Sequence, residues 1–420
     1  MKFILLLLIY MPVFSQIDYP KDYFAVPLDI PMQLSGNFGE LRNNHFHAGF
    51  DFRTQQKEGL PIFATANGHV SRIKISTYGY GKAVYIDHPN GYTTVYGHLQ
   101  KGYGKIEEYI KKEQYKQQSY EIEVFPLPGE LPVYKCDTIG ISGNTGGSEG
   151  PHLHFEIRDT KSEKAINPSY FGLTLKDTKR PFISSVVAYP INDSSNVNLS
   201  KRPVILGLSL QPDGTYISEK VKASGKIGFG IISADLDDVS YNNNGIFKVQ
   251  SFYNGSPHFG YQFDTFSFDE SRYINALIDF PRYKSTKQRV QKLFMNSPFP
   301  LSIIKTTAEN GIISMVPNLA QSYRIEVSDY YQNKTSVAIP IEYSPISAIS
   351  STSTSGKYLV KAKHDTSFEK DNMSVFFPAR TFYDDFYLNF DVKDRIMTVQ
   401  DDYTPVQSLP GFQPRHWMGG

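Results

Sequence analysis

Residues 150–156 read GPHLHFE, and this stretch decides how the first half of the chain is interpreted. It contains the triplet His152-Leu153-His154 in strand-rich surroundings. Side chains two positions apart on a strand face the same side of the sheet. We therefore predict a strand that presents the rings of His152 and His154 to one common space.

A second motif, HAGFD at residues 47–51, places an imidazole and a carboxylate four positions apart. Gly49 between them lets the backbone turn, so that His47 and Asp51 can converge on one point. Two histidines and one aspartate form a ligand set of the catalytic zinc type, which leaves a fourth position for water. The spacing leaves open whether His152 or His154 binds the metal. It also leaves open whether His45 competes with His47.

The histidines of the chain are clustered. Seven of the ten lie between positions 45 and 154, and none lies between 155 and 257. His98, in the sequence YGHL at residues 96–99, is one of the seven. A histidine before an apolar residue near a strand end is most often a packed or capping residue. His98 is therefore a candidate site residue only in combination with the other motifs.

The overall composition narrows the classes of function. Lysine and arginine (43) nearly balance aspartate and glutamate (42), so no basic excess favours a nucleic-acid partner. Aromatic residues make up 14% of the 420 residues, and glycine and proline are frequent, which favours a mainly β fold with many turns. Cys136 is the single cysteine, so no intramolecular disulfide can form.

The first residues are typical of an export signal. Lys2 provides a positive charge, and an apolar run extends from Phe3 to Phe14 before a cleavage position ahead of Gln16. As a helix this run would be about 18 Å long, against roughly 30 Å of bilayer hydrocarbon. We predict a signal peptide at residues 1–15, export to the periplasm or beyond the cell, and no stable membrane insertion after cleavage.

Strand and turn signals divide the rest of the chain. We predict an antiparallel β domain with the metal site, then an immunoglobulin-like β-sandwich, a linker that includes the sequence SSTSTSG, and a final β-rich annex or incomplete third domain. A short insertion with a helix from about Ile106 to Tyr120 interrupts the first domain. The predicted bounds are 16–177 for the metal domain, 100–135 for its insertion, 178–346 for the sandwich, 347–356 for the linker and 357–420 for the annex.

Taken together, the motifs resemble the lysostaphin-type, or LytM-like, zinc endopeptidases that cleave peptidoglycan peptides. The resemblance covers roughly residues 35–160 and includes FGELR at 38–42, HAGFD at 47–51, YGHL at 96–99 and GPHLHFE at 150–156. It implies an antiparallel β domain with its site in an open groove and one zinc ion per chain. The residues that it implies as zinc ligands are His47, Asp51 and His154, and as the catalytic pair His98 and His152.

The function implied by the resemblance is zinc-dependent hydrolysis of peptide bonds in bacterial peptidoglycan, for cell-wall remodelling or lysis. The alternative is a catalytically silent, cell-wall-binding activator of another hydrolase. Such proteins have typically lost ligands, whereas all five positions are filled here. A third interpretation treats the chain as a surface scaffold, and the later β regions are expected to have a wall or regulatory partner. Whether the insertion at 100–135 walls the groove or is a surface excursion stays open.

Overall fold

The structure is a computed structural model that describes residues 18–345, 358–394, 396–399, 403–407 and, for the backbone alone, 411–414. The predicted signal peptide and the predicted linker at 347–356 lie outside the described residues. Within the described part of the chain, no helix has the length and apolar character needed to cross a membrane. Strands dominate the chain, so the predicted mainly β fold is confirmed.

The first region contains a long antiparallel sheet and a small one. The long sheet has the order β1-β2-β11-β6-β5-β4-β8, with β9 on β4 and β12 on β11, and the small sheet has the order β3-β10-β7. The elements are β1 (Leu34–Gly36), β2 (Phe50–Arg53), β3 (Pro61–Phe63), β4 (Gly68–Ile75), β5 (Lys82–Asp87), β6 (Tyr92–Gly97), β7 (Lys101–Gly102), α1 (Lys105–Gln117), β8 (Ile122–Val124), β9 (Pro132–Val133), β10 (Thr138–Ile141), β11 (His152–Asp159), β12 (Ala165–Ile166) and a 3-10 turn at Pro168–Phe171.

Apolar side chains on the inner strands of the long sheet form its core. Val84, Ile86 and Tyr96 from β5 and β6 are buried, as are Leu153 and Phe155 from β11. Strands β5 and β6 form a hairpin whose turn lies between Asp87 and Tyr92. The order of strands places β11 between β2 and β6, in the interior of the sheet.

The insertion at 100–135 folds against the outer strands. Helix α1 runs from Lys105 to Gln117, within one residue of the predicted start and three residues short of the predicted end. Two of its own side chains, Ile106 and Ile110, are buried. Strand β8 extends the long sheet by pairing with β4. The insertion therefore enlarges the edge of the sheet opposite to β1.

Two further sheets occupy residues 182–343, so the chain is β-rich beyond the first region as well. Their assignment to an immunoglobulin-like sandwich stays a prediction, and the name sandwich is kept below for this pair of sheets. One has the order β15-β13-β19-β23 with β25 on β19, and the other β14-β18-β27-β26-β20-β21-β24 with β16 and β17 attached through β27. Three short helices, which the sequence did not predict, follow β22. The elements are β13 (Phe182–Pro190), β14 (Asn196–Val197), β15 (Val204–Leu206), β16 (Leu208–Leu210), β17 (Tyr216–Ser218), β18 (Val221–Ser224), β19 (Lys226–Ala234), β20 (Lys248–Tyr253), β21 (Ser256–Gln262), β22 (Thr265–Phe266), α2 (Phe268–Ser271), α3 (Ile274–Leu277), α4 (Phe280–Thr286), β23 (Gln291–Lys292), β24 (Ile304–Thr307), a 3-10 turn at Glu309–Gly311, β25 (Ile313–Ser314), β26 (Gln321–Ser328) and β27 (Lys334–Tyr343).

The hydrophobic core continues across the predicted boundary at residue 177. The ring of Phe38 lies 4.9 Å from that of Phe266, and the ring of Phe46 lies 5.6 Å from both Phe263 and Phe266. Strand β12 also pairs with β22, which joins the long sheet to the second region. The boundary stays a prediction, and the two regions share one core.

The last region has a core of its own. Its buried residues include Val375, Phe377 and Leu388, and they form a cluster separate from the main core. Tyr383 connects the two regions, because its hydroxyl donates to the Arg272 carbonyl at 2.8 Å. The elements are β28 (Tyr358–Val360), β29 (Thr366–Lys370), β30 (Met373–Phe377), β31 (Phe386–Leu388), β32 (Phe390–Lys393), β33 (Ile396–Val399) and β34 (Gly411–Pro414).

Candidate active site

The pairing of three strands brings four of the five predicted site residues together. The ladder places His154 of β11 opposite Asp51 of β2 and opposite Gly97 of β6. His98 follows β6 directly, and His152 lies two residues before His154 on the same face. Because the strands are antiparallel neighbours, residues far apart in sequence meet at one end of β11.

The fifth residue, His47, reaches this place through the loop before β2. Its backbone N–H donates to the Glu40 carbonyl at 2.9 Å, which holds the loop against the sheet. A Cβ atom at Gly49 would lie only 2.1 Å from the carbonyl oxygen of Phe155. Glycine at this position is therefore what lets the loop approach β11 closely enough for His47 to join Asp51 and His154.

Three potential ligand atoms converge here. Nε2 of His47 lies 3.0 Å from Oδ1 of Asp51 and 3.1 Å from Nδ1 of His154, and the latter two atoms are 2.9 Å apart. All three residues are buried. Zinc binds imidazole and carboxylate at about 2.0–2.2 Å, so one ion can contact three atoms at this spacing. The donor set and its geometry therefore fit zinc.

Asp51 is oriented by the charges on both of its sides. Arg42 donates to Oδ2 at 2.8 Å, which leaves Oδ1 facing the histidines. Burial alone would raise the pKa of Asp51, but His47, His152 and His154 hold this pKa well below its usual range. Asp51 therefore carries a negative charge, as a metal ligand must.

His154 is held from behind by a buried carboxylate. Its Nε2 lies 2.8 Å from Oε1 of Glu156, while Nε of Arg158 donates to Oε2 at 2.6 Å. The Tyr80 hydroxyl donates to the same carboxylate, and the Tyr80 ring stacks on His154. A carboxylate in this place fixes the tautomer of a metal-binding histidine and raises its basicity.

The sequence assigned no role to Glu156, Arg158, Tyr80 or Arg42. For Glu156 a signal was present, because positions 154 and 156 share one face of a strand. Burial alone would raise the pKa of Glu156, but Arg158 and His154 lower it to about 2. Burial alone would lower the pKa of His154, but Asp51 and Glu156 raise it to about 9. A metal ion at His154 must therefore displace a proton.

His98 presents one ring nitrogen to the site. Its backbone is left-handed, with φ of 58°, and its Nδ1 donates to the Thr145 carbonyl at 2.7 Å. Nε2 is then the nitrogen that carries a free lone pair. The ring lies 4.7 Å from that of His152 and 5.9 Å from that of His154. Burial, followed by repulsion from these two rings, lowers the pKa of His98 to about 4.

His152 faces hydrogen-bond acceptors on both sides of its ring. Nδ1 lies 2.8 Å from the Gly150 carbonyl, and Nε2 lies 3.4 Å from Oδ1 of Asp51. Its ring nitrogens are not part of the three-residue group formed by His47, Asp51 and His154. The geometry thus favours His154 over His152 as the ligand, a choice that spacing had left open.

Other clustered histidines lie outside this group. His45 turns its Nδ1 to the Asn43 carbonyl at 2.9 Å, although it lies beside the same groove. His88 is buried and lies 2.8 Å from both the Asn67 carbonyl and the Thr94 hydroxyl, which is a structural arrangement.

The five predicted residues line a groove of about 1270 Å³. The second region forms part of its wall through Ser233, Asn244, Lys287 and Arg289. No residue between 100 and 135 is among those that line it. The sandwich, rather than the insertion, therefore borders the site.

Comparisons with known proteins point to the same part of the chain. The sequence model of peptidase family M23 matches residues 45–115, which include His47, Asp51 and His98. These residues are therefore similar to peptidase family M23, and the region that contains them is called the M23 domain below. The resemblance found in the sequence is therefore confirmed for this domain.

Proteins similar to this region are named as metalloproteases or peptidoglycan endopeptidases. An uncharacterized metalloprotease of Haemophilus influenzae is 32% identical over 154 residues, which cover 35% of this chain and 27% of the relative. The peptidoglycan DD-endopeptidase ShyC of Vibrio cholerae is 32% identical over 143 residues, or 33% of this chain and 27% of that protein. A solved structure of the catalytic domain of the M23 protein EnpA from Enterococcus faecalis has 23% identity and a TM-score of 0.27, and the match covers 36% of this chain and 98% of that one. The chain spans only about a quarter of the length of these two curated relatives.

Proposed function

We propose that this protein is a zinc-dependent endopeptidase that hydrolyses peptide bonds of bacterial peptidoglycan. One observation carries the proposal: ligand atoms of His47, Asp51 and His154 lie 2.9–3.1 Å apart beside a groove that also receives His98 and His152. The names of the relatives supply the substrate class, since ShyC is a peptidoglycan DD-endopeptidase.

The three convergent side chains hold one zinc ion per chain in this proposal. When bound there, zinc supplies a Lewis acid and lowers the pKa of a coordinated water. Arg42 engages Oδ2 of Asp51, and Glu156 lies at Nε2 of His154. Oδ1 of Asp51 and Nδ1 of His154 are therefore the atoms that would hold the ion. The chain thereby fixes the ligand geometry before substrate arrives.

His98 acts as the general base. Its Nδ1 proton is committed to the Thr145 carbonyl, so Nε2 is free to accept a proton from the attacking water. The lowered pKa of His98 keeps the ring neutral near pH 7, which is the form that can accept this proton. The same nitrogen can then return the proton to the leaving amine.

His152 acts as the donor that stabilises the oxyanion. Oδ1 of Asp51 lies 3.4 Å from Nε2 of His152, so the tautomer with its proton on Nε2 directs that proton toward the metal site. A ring that carries a proton on Nε2 can donate to the oxygen that gains charge when the peptide carbonyl is attacked. The two histidines therefore divide the proton-transfer and charge-stabilising work.

We also propose that the protein acts outside the cytoplasm. The apolar run behind Lys2 supports export by a signal peptide, and the proposed substrate lies beyond the inner membrane. The last region, with its separate core, is the proposed contact for the cell wall or a regulator.

The test is digestion of purified peptidoglycan by the zinc-loaded mature protein, with released fragments identified by mass spectrometry. His154→Ala should lose most of the zinc, whereas His98→Ala should keep zinc and lose about 10²–10⁴-fold in rate. His45→Ala, a matched control beside the same groove, should retain both. If the wild-type protein releases no cleavage products but stimulates another hydrolase, the activator alternative would replace the enzyme proposal.

A further inference from the structure

A second group of acidic side chains lies where the M23 domain meets the sandwich. Asp177 belongs to the segment that joins the two regions, Asp235 follows β19, and Asp329 follows β26. Each offers one carboxylate oxygen, and these three oxygens lie within 4.8 Å of one another. The group therefore draws on the joining segment and on one strand from each sheet of the sandwich.

Asp235 has a buried oxygen without a partner. The residue is only 5% exposed, and within the described part of the chain its Oδ1 is buried and accepts no hydrogen bond. Asp237, two residues later, shows the contrast, because Ser240 and Asn244 donate to its carboxylate. Leaving a buried carboxylate oxygen unpaired costs free energy, so the position calls for a positively charged ligand.

The surroundings provide room but no protein cation. The three carboxylates line a small cavity of about 60 Å³. Among the described residues, no lysine or arginine side chain forms an ion pair with any of the three aspartates. Burial, followed by repulsion from Asp177 and Asp329, raises the pKa of Asp235 to about 8. Near pH 7 Asp235 therefore carries a proton when the cavity is empty, and a cation that binds there must displace this proton.

We propose that Asp177, Asp235 and Asp329 bind a calcium ion that fastens the M23 domain to both sheets of the sandwich. Hard cations prefer oxygen ligands, and calcium takes six to eight oxygens from carboxylates, carbonyls and waters at about 2.3–2.6 Å in a flexible geometry. Oxygens up to 4.8 Å apart can lie on opposite sides of such an ion. Magnesium usually takes one or two carboxylates and keeps its waters, so three carboxylates from separate segments favour calcium.

The ion would also fix the wall of the active-site groove. Ser233 and Ala234, which line the groove, directly precede Asp235. Asn244 lines both the groove and the small cavity, and its backbone pairs with that of Asp235 at 2.8–2.9 Å. Calcium binding is therefore expected to stabilise the part of the sandwich that faces the zinc ligands.

The experiment uses the full mature protein, stripped of metals and reloaded with one equivalent of zinc. Calcium chloride is titrated by calorimetry, and the melting temperature is followed against calcium and, separately, magnesium. We expect a dissociation constant of roughly 10⁻⁴–10⁻³ M, the range of extracellular calcium modules. At about 100 times this constant, Tm should rise on the order of 5 °C.

Two variants separate a calcium site from a merely structural cluster. Asp235→Asn should lose the calcium-dependent rise in Tm. Without calcium it should melt no lower than the wild type near pH 7, because the neutral amide replaces a carboxyl group that is already protonated. Asp238→Asn, which removes a charge from the same loop but lies outside the group, should respond to calcium as the wild type does. Wild-type protein that binds no calcium at millimolar concentration, or that responds equally to magnesium, would overturn the proposal. Undiminished calcium binding by Asp235→Asn would do the same.

Discussion

Glu156→Gln tests whether the buried ion pair of Glu156 and Arg158, which lies behind His154, supports the metal site. The wild-type carboxylate is fully buried and receives hydrogen bonds from Arg158 and Tyr80, with His154 2.8 Å away. Glutamine has nearly the same volume, but its amide nitrogen can only donate. It therefore cannot accept from His154 and Arg158 on both sides at once.

The expected size of the effect follows from the burial. Removing one partner of a buried ion pair costs about 3–5 kcal/mol, because the other charge is left uncompensated. For a cooperative unit of 150–250 residues this corresponds to a Tm lower by about 6–20 °C. Loss of a carboxylate behind a metal-binding histidine typically lowers metal affinity about 10–100-fold.

Thermal denaturation and zinc competition with a chromophoric chelator measure the two effects. The control is Glu163→Gln, which alters the other carboxylate near Arg158. That carboxylate lies 3.7 Å away with its side chain 67% exposed, so its loss should cost no more than about 1 kcal/mol. If both variants behave alike, the buried pair does not support the site and the reasoning fails.

In zinc-free protein, the stability difference between wild type and Glu156→Gln should depend on pH. The pKa of Glu156 is lowered to about 2 in the folded state, below the ordinary value of 4.5. A lowered carboxyl pKa stabilises the fold above the unfolded-state pKa, and this contribution is lost as pH falls toward the folded-state value. The stability difference between wild type and Glu156→Gln should therefore shrink between pH 4.5 and pH 2. A constant difference across this window would contradict the assignment.

Three further outcomes are expected. Gly49→Ala should lose zinc and lower the free energy of unfolding by about 1–3 kcal/mol or more, because its Cβ meets a backbone oxygen of β11. The control Gly150→Ala, whose Cβ would point into open space, should keep both zinc and stability. Replacing α1 with a flexible loop should leave KM for a short peptide substrate unchanged, since the insertion does not line the groove; a changed KM would place the insertion at the site. A fragment of residues 16–177 should be poorly soluble and hold little zinc, because truncation exposes the phenylalanine rings that pack on the sandwich, whereas residues 16–345 should stay soluble.

The sequence indicated the residues proposed for the site because spacings of a few positions predict which side chains share one face or one turn. His152 and His154 share a strand face by the period of a β-strand, and Gly49 indicated that the backbone between His47 and Asp51 can turn. The mainly β class followed from composition and turns for a similar reason. These signals depend on neighbours within a few positions, which a sequence displays directly.

Contacts between distant segments were decided only by the tertiary structure. Spacing alone did not choose His154 over His152, because the choice depends on which ring nitrogen approaches His47, more than 100 positions away. The same holds for the sandwich wall of the groove and for the meeting of Asp177, Asp235 and Asp329. Isolated aspartates in turns carry no local pattern, and only the packing of β19 and β26 on the joining segment places their charges together.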